Sequence, residues 1–134
     1  MFRRVKNKML RILLYVGAVI LIIMIAIFIY FNQGLSKYRK MVINEVDLLS
    51  IEDGTYQGEF SGGRWKNKLE VTVKDHKIVD IKMIQASDMS GLKAIGEEVF
   101  KKVEEEQSLQ IDAVSGATVH TKAILKSIED ALIK

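Results

Sequence analysis

Hydrophobic and polar positions follow three different rhythms along this chain. Residues 12–31, ILLYVGAVILIIMIAIFIYF, form one long run without a charge. A helix of that length rises about 30 Å, the thickness of a bilayer's hydrocarbon core, which predicts a transmembrane span. Tyr15, Tyr30 and Phe31 lie near its ends, as interfacial aromatics do. The run ends in IFIYFNQG, without the small-residue pattern of a cleavage site, which favours an uncleaved anchor over a signal peptide.

The second rhythm is helical. Leu35, Tyr38, Val42, Val46 and Leu49 recur at spacings of three and four, predicting an amphipathic juxtamembrane helix over 35–49 that packs onto the domain behind it. Leu92, Ile95, Val99 and Val103 predict another, with Glu97, Glu98, Lys101 and Lys102 on its wet side. Ala123, Ile124, Ile128 and Leu132 mark a last helix, expected from about Ser115 to Ile133.

Between these the period falls to two. Asp53-Gly54 signals a turn, and TYQGEF after it reads as a strand. SGGRW follows as a loop or bulge. KLEVTVK (68–74) sets Leu69, Val71 and Val73 against Glu70, Thr72 and Lys74. Asp75-His76 is the expected two-residue turn. KIVDIKMI (77–84) then sets Val79, Ile81 and Met83 against Asp80 and Lys82. The reading is an α+β chain: an N-terminal transmembrane helix, then a small antiparallel sheet with helices packed on one face. It divides into a basic tail (1–11), the anchor (12–31), a juxtamembrane helix or linker (32–51) and one globular domain (52–134).

The formal net charge is +3 over 134 residues. Arg3, Arg4, Lys6, Lys8 and Arg11 precede the apolar run; without them 15 basic residues face 17 acidic ones, a net −2. A mildly acidic body gives no nucleic-acid footprint. Five cations before the span, against Lys37, Arg39 and Lys40 close behind it, place the N-terminus in the cytoplasm and the domain outside. No cysteine is present, so no disulfide, thiolate metal site or Cys nucleophile is available, and the two histidines, His76 and His120, stand far apart without HExxH spacing. Metal chemistry is not expected.

The stretch 111–124, IDAVSGATVHTKAI, carries the candidate chemistry. A helix starting near Ser115 would present the N–H groups of Gly116, Ala117 and Thr118 to an anion. The two small residues let a bulky anion approach, and Thr118 adds a hydroxyl that can bond to a phosphate or be esterified by one. Asp112 stands ready to orient a hydroxyl. On these residues alone, a plain Ser N-cap and helix start is the favoured reading.

Asp112-Ala-Val-Ser-Gly-Ala-Thr118 resembles the D-x-x-[ST]-G-A-T flavinylation motif of the FMN-binding domain family. That family includes the C subunit of sodium-pumping NADH:quinone reductase and the G subunit of Rnf complexes. DGTYQGEF with its glycines, VTVKDHKIVDIKM and SLQIDAVSGATVHTKAILKSIEDAL resemble it in the same order, over roughly residues 52–134. The resemblance implies FMN attached through its phosphate to Thr118, donated from FAD by a separate flavin transferase. It makes Ser115, Gly116 and Ala117 the recognised turn and Asp112 the motif's acid. The hydroxyl residues that often follow the motif are His120 and Thr121 here, so Thr121 keeps one. Trp65, after the diglycine, is expected on a loop over the flavin ring; Tyr56, Met83 and Met89 are further apolar candidates, of which Tyr56 and Met83 read first as ordinary core.

The implied protein is a single-pass, membrane-anchored electron carrier with a membrane or extracytoplasmic redox partner protein, rather than a complete enzyme, since no G-x-G-x-x-G lies in a βαβ unit. The alternatives are a non-redox module for a phosphorylated ligand or a protein, a non-covalent FMN carrier, a flavin reductase acting on a small acceptor, and a structural membrane protein whose SGAT is only a helix cap.

Overall fold

The computed structural model describes residues 1–63, 65–86 and 89–133, with only the backbone of 89–93. It separates into two units, Met1–Gln33 and Gly34–Lys134.

The first unit is helix α1, Phe2–Asn32. None of its residues is buried. α1 is long and apolar enough to cross a membrane. Its first turns carry the five cations, so the basic tail is helical.

The second unit opens with a short helix α2 (Leu35–Arg39), a segment without regular structure over 41–47 and a 3-10 turn at Leu48–Ser50. The juxtamembrane helix expected over 35–49 therefore stops after five residues. Its stripe does not share one buried face: Val42 and Leu49 are 72% and 76% exposed. Side chains of the last helix and of Gln110 bond to the backbone of 39–44 and hold it off the helical path, as described below.

Three strands follow, β1 (Gly54–Gly62), β2 (Trp65–Lys74) and β3 (Lys77–Ala86), in an antiparallel meander of order β1-β2-β3. Asp75 and His76 turn the second hairpin with φ of 53° and 60°, the type I′ conformation that matches strand twist. Leu69, Val71 and Val73 are buried as their alternation predicts. β3 departs from the prediction. Its register with β2 skips Val79 and Ile84, so each is a bulge. Ile81 and Met83 face the core as expected, but the extra residues shift the phase on either side of them, leaving Val79 and Ile84 half-exposed and turning Ile78 inward in place of Val79.

Helices α3 (Met89–Glu106) and α4 (Thr118–Ile133) cover one face, α3 against β3 and α4 against β1 and β2. Val99 and Val103 of α3 and Ile124, Ile128 and Leu132 of α4 close the core over β2 and β3. Ion pairs Lys101–Glu105 and Lys102–Glu98 lie on the wet side of α3. Gln107 ends that helix with φ +51°, and its amide binds both Ile78 N–H (2.7 Å) and Ile78 O (2.8 Å) on β3. Burial pushes the Glu104 carboxyl above its ordinary value; the charge of Asp80 adds to this, and a hydrogen bond with the Ile81 backbone opposes it. α4 lies close enough on β1 that a Cβ at Gly58 would collide with Ser127 O and the Ala131 backbone. Ser127 Oγ, fully buried, donates to Asn67 Oδ1 and ties α4 to β2.

Candidate functional site

The motif occupies the turn that leads into α4. Ala117 N–H donates to Val114 O at 2.9 Å, closing a four-residue turn over Val114–Ala117. Gly116 sits at its third position with φ +76°, the type II arrangement that favours glycine. Beyond its own chain neighbours, no atom lies within 4 Å of where a Cβ on Gly116 would stand, so the glycine answers to backbone conformation and leaves open space over the turn.

Helix α4 starts at Thr118, three residues later than the sequence pattern suggests. Ser115 stands inside the turn rather than at the N-cap. The type II turn accounts for the offset, because a residue at positive φ cannot belong to the helix. Thr121 N–H makes the first helical bond to Ala117 O (2.9 Å), so the N–H groups of Thr118, Val119 and His120 precede the helical ladder. Of the three N–H groups proposed as anion donors, Ala117 is engaged inside the turn.

Asp112, Ser115 and Gly116 are exposed and Thr118 is half-buried, so the motif's hydroxyls and acid face outward. Ala117 and Val119 are buried and anchor the turn. Thr121 is fully buried. Its hydroxyl donates to Ala117 O (2.8 Å) and accepts from Val114 N–H (3.2 Å), clasping both ends of the turn to the first coil of α4. It serves the motif by fixing the turn's shape.

Trp65 does not lie on a loop. It begins β2, pairs with Gly62 and is 6% exposed. With Val119 and Ala123 it forms a second small core, flanked by Leu35, Tyr38 and Phe60. Its ring meets Tyr38 edge-on at 5.2 Å and His120 at 6.5 Å between centroids. The structure thus brings Trp65 and His120 together beside the start of α4. Tyr56 and Met83 pack against the main core, the reading preferred for them, with Tyr56 donating its OH to Glu52 O at 2.7 Å. The Met89 side chain lies outside the described residues. His76, in the hairpin turn, faces Leu48 O at 3.3 Å.

One group was missed by sequence reasoning. Lys122 Nζ donates to Arg39 O (2.6 Å) and Met41 O (2.9 Å), and Lys126 Nζ reaches Val42 O (3.4 Å). Glu129 accepts from Asn44 N–H and Nδ2 (both 3.1 Å), and Gln110 Nε2 donates to Ile43 O. These bonds strap 39–44 onto the polar face of α4. The i, i+4 relation of Thr118 to Lys122 was legible as a signal.

The family model for the FMN-binding domain matches residues 63–133. That span holds β2, β3, both packed helices and the whole motif. The chain belongs to the FMN-binding domain family. It is a flavin-binding module. In this FMN-binding domain the matched region begins at the β1–β2 turn, yet β1 completes the sheet and residues 35–51 lie against its core. A solution NMR structure of a protein from Clostridium thermocellum is similar over 60% of this chain and 92% of that one, at 19% identity and a TM-score of 0.39.

The residues present fit FMN. An exposed turn with open space above Gly116, a half-exposed hydroxyl at the first helical residue and unladdered N–H groups beside it suit a phosphate ester at Thr118.

Proposed function

We propose that this protein is a membrane-anchored, extracytoplasmic flavoprotein that carries FMN covalently on Thr118 and relays electrons between membrane and external partners. The observation that carries the reading is the SGAT turn. Its φ +76° glycine and the Thr121 clasp hold a half-exposed threonine at the head of α4, inside the region matched by the FMN-binding family. Attachment forms a bond from Thr118 Oγ to the FMN phosphorus of FAD. The pyrophosphate P–O bond breaks, AMP leaves, and the hydroxyl proton passes to a base on the flavin transferase. The chain itself supplies the acceptor and its geometry; Ser115, Gly116 and Ala117 present the turn, and Asp112 stands on its approach. Bound FMN supplies reversible electron transfer. Orientation follows the five cations in the first turns of α1, ahead of its apolar run, which favour a cytoplasmic N-terminus.

The test is the intact mass of the whole chain, with and without a flavin transferase and FAD, beside Thr118→Ala. A gain of one FMN less water, lost in the variant, supports covalent attachment. A folded chain without that gain, under a transferase active on a control substrate, refutes it and leaves non-covalent FMN or a non-redox phospholigand module.

A further inference from the structure

Lys122 is a half-buried cation without a counter-charge. Among the described residues no carboxylate pairs with it, whereas Lys126, one turn on, pairs with Glu129 at 2.9 Å. Its two contacts are the neutral carbonyls of Arg39 and Met41. An ammonium has three N–H donors, so one remains. Partial desolvation of an ammonium is costly unless an anion compensates it. Beside it lies a cleft of about 260 Å³, lined among others by Lys40, Met41, Ala113, Thr121 and Lys122, and by no acid. Thr118 stands one helical turn before Lys122, and residues at that spacing have Cβ atoms about 5–6 Å apart.

We infer that Lys122 is the counter-cation of the phosphodiester on Thr118, donating its third N–H to a non-bridging phosphate oxygen while its other two hold the strap at Arg39 and Met41. The inference rests on the covalent reading above. Loading Thr118 then completes a three-way clasp of phosphate, α4 and strap, and the loaded domain resists unfolding more than the unloaded one.

The experiment compares unloaded and flavinylated whole chain in detergent micelles by calorimetry, for wild type, Lys122→Met, Lys122→Arg and the neighbouring Lys126→Met. Wild type, Lys122→Arg and Lys126→Met are expected to gain about 4 °C in Tm on loading, roughly what a modest ion pair yields in a domain of this size. That gain should shrink in high salt. Lys122→Met should gain none, and its phosphodiester ³¹P resonance should differ from wild type. An equal gain in Lys122→Met with an unchanged ³¹P resonance overturns the inference while the covalent reading stands. A wild-type chain that takes up no flavin mass overturns both. Should Lys122→Met fail to fold, the wild type decides: a salt-insensitive gain overturns the inference, and a salt-sensitive gain retained by Lys122→Arg supports it.

Discussion

Replacing Thr121 by valine keeps the shape of a fully buried side chain and removes its hydroxyl. Two hydrogen bonds go with it, the donation to Ala117 O and the acceptance from Val114 N–H. Ala117 O keeps its bond from Thr121 N–H, so the net loss on that side is about 1 kcal/mol. The Val114 N–H is left without its partner, and Val114 is only partly buried, so water recovers part of the lost bond; a further ~1 kcal/mol is the expected cost. The sum, about 2 kcal/mol, corresponds to a fall in Tm on the order of 10 °C for a domain of roughly 100 residues. Thr121→Ser, which keeps the hydroxyl, should recover most of it. The assay is thermal unfolding of the whole chain in micelles, followed by flavin uptake on each variant. Flavinylation of Thr121→Val should slow as the turn loosens. A Thr121→Val chain as stable as wild type and flavinylated at the same rate would refute the view that this hydroxyl shapes the motif.

Gly116→Ala meets no atom but places a Cβ at φ +76°, so it should lose about 1 kcal/mol through backbone strain alone, and Gly116→Asn should lose less; denaturant midpoints of the three chains check this. The Glu104 carboxyl has a raised pKa in the folded state, so between its ordinary value of 4.5 and neutral pH the folded chain binds more protons than the unfolded one. Its contribution is fully present below 4.5 and is lost as pH rises through the raised value. Glu104→Gln should therefore match wild type at low pH and show a small relative gain in stability at neutral pH, read from unfolding at a series of pH values; a difference that shrinks as pH rises would contradict the assignment.

Much of the fold was legible because its periods are clean. The charge-free run, the alternation of Leu69, Val71 and Val73, and the helical spacing through Val99 and Val103 each answer to one burial pattern. Where a local irregularity intervenes, the pattern misleads. Val79 fits an alternation that the bulge breaks, and nothing in its side chain announces the bulge. The stripe from Leu35 to Leu49 has helical spacing, yet long-range partners on α4 hold the backbone after Arg39 off the helical path, an override invisible to a local window. The start of α4 was misplaced because Ser115 is as good in a type II turn as at an N-cap. Trp65 looked mobile beside two glycines; β1 pairing and the packing of Tyr38 bury it. The motif itself was readable by resemblance, but the buried clasp of Thr121 and the strap held by Lys122 needed three dimensions.

The two bulges and Gln107 have one more consequence. β3 is an edge of the sheet, and a straight edge strand invites a copy of itself to dock. Copies held by α1 in a membrane would meet in two dimensions, where encounters are frequent and shared orientation favours like edges aligning. Val79 and Ile84 kink the strand at two places, and the Gln107 amide occupies the N–H and C=O of Ile78 as a neighbouring strand would. The β3 edge is thereby spoiled as a template for a neighbouring copy.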